Sequence, residues 1–265
     1  MMHKLYVVGM VHDDQLGGQR LEAILERFDP DIIALEFSTE REEAALRQKT
    51  REQLRQEISQ DLKTSGLTLT TTQYDTFLEV NTRINDMLKY EFKTSTAYIK
   101  QHPKTKLKYI DMSSRIEGVD VVKENSTTEF SRLLSQISSD PQSTREFTSR
   151  LDMGVELYMS LLQENAENEY DNASQSTELI KIMRNKELFD QLTRELPAEE
   201  IAYLKHAYNP EREEQMASNI RAIYDNKSVI VAPVGIGHMT TITELLTDIN
   251  AQQLTLQEFN KYQLY

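Results

Sequence analysis

The 265-residue chain has no cysteine and no tryptophan, and only eight glycines, six prolines and five histidines. Without a thiol there is no disulfide framework, no Cys-ligated zinc or iron–sulfur centre and no cysteine nucleophile. Long apolar runs are missing too, since every stretch falls well short of the ~18 residues a membrane span requires. The first eleven residues are apolar enough to suggest a signal peptide, but Asp13 and Asp14 follow at once and no small-residue cleavage site appears. A cytoplasmic protein with no membrane span is expected. Basic residues are outnumbered, 30 Lys and Arg against 43 Asp and Glu, for a net charge of −13. An acidic surface repels phosphate backbones and no Lys/Arg cluster interrupts it, so nucleic acid is not an expected partner. Gly17-Gly18 is no dinucleotide fingerprint, and neither G-x-S-x-G nor a P-loop is present. A nucleophilic serine or a nucleotide site is therefore not indicated.

Against this background three short runs rich in β-branched residues read as strands: Lys4 to Val8, Asp31 to Leu35 and Ser228 to Val234. Lys106 to Ile110, after the breaker Pro103, is a weaker fourth. Between the first two, Leu21, Ile24, Leu25 and Phe28 recur at helical spacing and stop at Asp29-Pro30, which makes a βαβ unit with parallel strands. Near the C-terminus Asn209-Pro210 reads as a helix cap and first turn, and Met216, Ile220 and Ile223 line one face of the helix that follows. The expected fold is α/β, a single domain over 1–265. Its parallel-sheet core is built from both chain ends, with flanking helices and a mostly helical insertion at 125–207.

The scarce residues coincide. Gly9-Met10-Val11-His12 and Gly235-Ile236-Gly237-His238 each place a histidine three after a glycine, just past a strand. Composition alone gives about 0.15 such pairs. Glycine permits a turn or close approach at a strand's carboxyl end, and in a parallel sheet that edge is where ligands bind. A lone histidine there is ordinarily a structural hydrogen-bonding residue; two in matched contexts weaken that reading. Glu36 ends the second strand, after a run apolar enough to be buried on both faces, and a buried carboxylate needs a partner. Arg41 and Arg212 both fall in first turns of predicted helices, where the macrodipole disfavours a cation. Each reads either as a surface arginine or as a counter-ion or anion holder in a cleft. Asp111 reads as a cap or a cleft residue, Asp13 and Asp14 as helix caps or as groups supporting His12 from behind, and His3, His102 and His206 as ordinary surface or packing residues.

In this order, the Gly9-x-x-His12 element, Pro30-Asp31 leading to Leu35-Glu36, Arg41, Glu211-Arg212 and Gly235-x-x-His238 resemble the TraB/PrgY/Tiki family, over residues 4–47 and 209–247. A wider similarity joins that family to erythromycin-esterase-like and ChaN-like haem-binding proteins. Glu213 departs from the pattern, standing where an Asp often follows the Glu-Arg pair. The resemblance implies an active site at His12, Glu36, Arg41, Arg212 and His238, with the two histidines and Glu36 as ligands of a divalent metal. Mn²⁺ or Co²⁺ is expected, with Zn²⁺ as an alternative. Such a ligand set keeps an open position for water, and the arginines then stabilise developing negative charge or hold a substrate carboxylate. The expected activity is hydrolysis of a peptide or small amide. The alternative is a non-catalytic module that sequesters a peptide such as a pheromone in the same cleft. A homo-oligomer is compatible with either.

Overall fold

Every apolar run read as a strand lies in one five-stranded sheet, all parallel, in the order β3-β2-β4-β1-β5. This is a computed structural model that describes residues 5–38, 49–87, 89–111, 133–173, 185–194, 201 and 210–261. Within them β1 (Leu5–Met10) leads to α1 (Gly17–Phe28) and β2 (Ile32–Leu35). The helices α2 (Arg51–Ser65), α3 (Thr71–Met87) and α4 (Tyr90–Gln101) precede β3 (Lys106–Tyr109). Next come α5 (Pro141–Asp152), α6 (Val155–Asp171), α7 (Lys186–Leu192) and α8 (Pro210–Ile223). The chain returns to the sheet with β4 (Ile230–Gly235), α9 (Ile236–Leu245), β5 (Gln252–Thr255) and α10 (Leu256–Lys261). Among the described residues no helix is long and apolar enough to cross a membrane.

The chain forms two compact units. The first comprises Met1–Glu42, Lys89–Ser113 and Ala166–Tyr265, the second Glu43–Leu88 and Ser114–Asn165. The stretch 125–207, expected as one helical insertion, thus contributes to both units. Helical spacing shows that a segment is amphipathic but not which body its apolar face will meet.

In the first unit, strand alternation explains the layers. Leu5, Val7, Ala34, Ile230, Ala232 and Val234 project to one face, where α8 (Met216, Ile220) and α9 (Met239, Ile242) cover them. Tyr6, Val8, Met10, Ile33 and Val231 project to the other, under α1 (Leu21, Ile24, Leu25) and α4 (Tyr90, Tyr98). Both central strands are buried along their whole length, as a sheet covered on both faces requires. The second unit has its own core, in which Leu54 and Ile58 of α2 meet Phe77 and Leu78 of α3 and Leu151 of α5. Its helices start on strong signals: a Thr50/Gln53 capping box opens α2, and Asp140 caps α5 ahead of Pro141.

Candidate functional site

The connection after β1 runs to α1 on one face of the sheet, and the connection after β4 runs to α9 on the other. Adjacent strands whose connections part in this way form a crevice at their carboxyl ends, the usual ligand position in doubly wound sheets. Both Gly-x-x-His elements sit there, His12 just beyond β1 and His238 in the first turn of α9.

A proline interrupts the ladder between β4 and β2. β2 pairs with β4 only at Ile32↔Ile230 and Ile33↔Val231. The Pro233 carbonyl accepts the Glu36 N–H at 3.2 Å, so the Pro233 nitrogen faces β2 as well, and it carries no proton to donate. One rung of the ladder is therefore missing at Pro233. Gly235, two residues on, donates its N–H to Glu36 Oε2 at 2.6 Å.

Gly235 is where the side chains meet. A Cβ on this residue would lie 3.4 Å from His12 Nε2, 3.5 Å from Glu36 Oε2 and 3.6 Å from His238 Cδ2. Three groups drawn from three strand ends therefore surround one point that only a glycine leaves open. Gly9, in the other element, serves packing: a Cβ there would stand 2.7 Å from Met239 Sδ of α9. Each imidazole is fixed through Nδ1 by a carboxylate, His12 by Glu91 of α4 and His238 by Glu213 of α8 at 2.9 Å. His238 Nε2 lies 3.9 Å from Glu36 Oε1 and 3.4 Å from Arg212 Nη1. Arg212 spans the carboxylates, with Nη2 donating to Glu36 Oε1 at 2.6 Å and Nε and Nη2 donating to the two oxygens of Asp111 at 2.9 Å.

The electrostatics follow from these contacts. Burial alone raises the Glu36 carboxyl, but the positive charges of His238, Arg212 and His12 and the Gly235 N–H outweigh it and hold the group down at about 2. The bond to Glu91 raises His12 to about 9 against the cost of desolvation, with Glu36 and Asp13 adding to the rise. Burial lowers His238, and Glu36 only partly offsets that. The two imidazoles are thus set apart in basicity, one favouring its charged form and the other its neutral form. Burial disfavours the Arg212 charge, yet Glu36 and Asp111 together raise its pKa.

Compared with known proteins, the chain matches no family model, no curated protein and no solved structure.

Of the residues singled out in the sequence, His12, Glu36, Arg212 and His238 come together, and Arg41 lies outside the described residues. Arg212 takes the counter-ion place between Glu36 and Asp111. Asp111 belongs to the cleft; Asp14 is not the cap of α1, which starts after Leu16 with no side-chain cap, but accepts the Leu16 N–H at 2.9 Å in the turn before it and is buried beside Arg20 and Tyr170. The spacing reading missed Glu91 as the partner of His12; it sits in an ordinary first helical turn with no motif around it. Glu213 was visible only as a neighbour of Arg212.

Among the described residues no group of three or more His, Asp or Glu side chains is assembled to hold a metal ion. The donor set suits a divalent ion in kind. Both Nδ1 atoms are committed to carboxylates, the outer bond that metal-bound histidines make, and the Nε2 atoms turn toward Gly235 and Glu36. Glu36 would have to exchange at least one of its bonds to Arg212 and Gly235 for a bond to the ion.

Proposed function

We propose that the chain is a metal-dependent hydrolase of a peptide or other small amide, acting in the cytoplasm, with its active site at the carboxyl ends of β1, β2 and β4. The observation that carries this reading is the convergence of His12, Glu36 and His238 on Gly235, with each imidazole held from behind by a carboxylate. His12, Glu36 and His238 would hold Mn²⁺ or Co²⁺. Such an ion, when bound, lowers the pKa of water and polarises a carbonyl. Glu91 and Glu213 fix the ring orientations, so that both Nε2 atoms face the crevice at no cost in ordering when a ligand arrives. Arg212 holds Glu36 in place through a short bond and is itself held by Asp111, which keeps the carboxylate ionised despite its burial. His238, lowered by its surroundings, stays neutral and keeps a lone pair for a ligand, while His12 retains its proton until a ligand displaces it. Gly235 leaves the space in which a substrate carbonyl can approach all three groups.

The deciding experiment incubates the purified chain with a peptide library in the presence of Mn²⁺ or Co²⁺, with and without chelator. Fragments that appear only with the metal uphold the hydrolase. Tight retention of intact peptide with no cleavage under either condition replaces it with the sequestering module.

A further inference from the structure

The first peptide beyond β1 lies outside the sheet ladder. β1 pairs with β4 as far as Met10↔Gly235 and with β5 as far as Gly9↔Thr255, so Val11 has lost its strand partners although it is buried. Its polar groups need others. Two tyrosines supply them: the Val11 N–H donates to Tyr170 Oη at 3.1 Å, and Tyr90 Oη donates to the Val11 carbonyl at 3.0 Å. The same carbonyl accepts the Asp14 N–H at 3.1 Å, which closes the turn that carries His12.

The tyrosines are anchored in turn. Tyr170 Oη donates to Asp14 Oδ2 at 3.0 Å, and Asp14, itself buried, pairs with Arg20 at 2.9 Å. Arg20 also meets Glu167, one turn before Tyr170 on α6, and Glu167 accepts from Gln257 at 2.6 Å. Tyr90 is followed directly by Glu91, so the opening residues of α4 grip both the backbone before His12 and the ring of His12. A buried Asp–Arg–Tyr cluster is a poor way to gain stability, because apolar residues of like volume usually serve as well. What it adds is a single geometry for the peptide it holds.

We infer that Tyr90, Tyr170 and Asp14 are positioning residues for His12: by fixing both the N–H and the carbonyl of Val11 they aim the imidazole at Gly235. This deepens the proposed function and rests on His12 being a working group of that site. None of the three touches the point of convergence; they act through the backbone.

The test uses the full chain, with Mn²⁺ alone as the probe. Tyr90→Phe and Tyr170→Phe keep the rings and remove the hydroxyls, and Asp14→Asn keeps the shape if either fails to fold. Tyr98→Phe is the control, since Tyr98 Oη makes a comparable buried bond to the Leu25 carbonyl at 3.1 Å. In Tyr170→Phe, which removes the acceptor of the Val11 N–H, the Val11 amide should exchange at least tenfold faster relative to Val8, and in every positioning variant the site should loosen. The hydrogen-bonded Nδ1–H resonance of His12 should broaden or vanish, and the Mn²⁺ dissociation constant should rise about tenfold. Tyr98→Phe should leave all three unchanged. Unchanged Mn²⁺ affinity in folded Tyr90→Phe and Tyr170→Phe overturns the inference, as does an equal loss in Tyr98→Phe. If the wild type binds no Mn²⁺, the metal reading fails by itself. The His12 resonance then decides alone: its loss in the tyrosine variants upholds the positioning role, and its persistence overturns it.

Discussion

The Gly235 N–H is bonded to Glu36 Oε2 at 2.6 Å, so a side chain stands where the next rung of a β2–β4 ladder would otherwise be. Pro233 removes the rung before it, because its nitrogen has no proton to donate, and the Glu36 side chain in place of its carbonyl takes the Gly235 N–H. Glu36 thus closes the sheet and opens the site with one carboxylate. Replacing it by glutamine keeps the shape and one acceptor but removes the charge that holds Arg212. Glu36→Gln should lower stability by about 1–3 kcal/mol in urea unfolding and weaken Mn²⁺ binding at least tenfold by calorimetry. A variant as stable as the wild type would show that the carboxylate contributes nothing to closing the sheet.

Arg212 is the hinge of the charge arrangement. With its side chain 14 % exposed, against 7 % for Glu36 and 2 % for Asp111, all three charges are largely withdrawn from water. Arg212→Met leaves two buried carboxylates without their guanidinium and should cost about 3–5 kcal/mol, whereas Asp111→Asn should cost less. Denaturant midpoints at constant slope measure both. Equal losses in the two variants would place the energy in packing and not in charge.

The pH dependence has two limbs of opposite sign. Glu36 is held at about 2, below its ordinary 4.5, so it stabilises the fold above pH 4.5 and that contribution is lost as pH falls through about 2. By linkage the full contribution is about 3 kcal/mol. His12 is raised from 6.5 to about 9, so its contribution is complete below pH 6.5 and is lost as pH rises through about 9. That limb is small, because 63 % of the His12 side chain is exposed and solvent screens the pair. Thermal unfolding between pH 2 and 10 should show Glu36→Gln flattening the acid limb alone and Glu91→Gln flattening the alkaline limb alone.

Gly235→Ala separates folding from function. The backbone there has φ −54° and ψ 139°, open to alanine, and the added methyl meets its neighbours at 3.4 to 3.6 Å, ordinary contact distances. Stability should change by no more than about 0.5 kcal/mol, while the methyl fills the point on which the three groups converge. Loss of Mn²⁺ binding with an unchanged urea midpoint is the expected pair of results. Retained binding would move the site away from Gly235.

Much of this architecture is legible in the chain because burial on both faces leaves a plain mark. The runs that became β1, β2 and β4 are continuous and apolar, and β3 could be read after Pro103. β5 could not, since Gln252-Gln253-Leu254-Thr255 is a short, mostly exposed edge strand with neither alternation nor an apolar run. The histidines and Glu36 stood out through position, each ending a recognisable strand. Their partners did not: Glu91 follows β1 by some eighty residues, Tyr170 by more, and both are set by tertiary packing that leaves no local pattern. Pro233 was readable as part of a strand, but its effect depends on which neighbour its nitrogen faces, and only the strand order reveals that.

The two layers of the first unit divide responsibility for the site. His12 answers to the layer under α1 and α4, through Tyr90, Glu91 and Tyr170, whereas His238 answers to the layer under α8 and α9, through Glu213 and the packing of Met239. The sheet is a partition between them. A substitution confined to one layer therefore removes the supports of one histidine and leaves the carboxylate that orients the other in place.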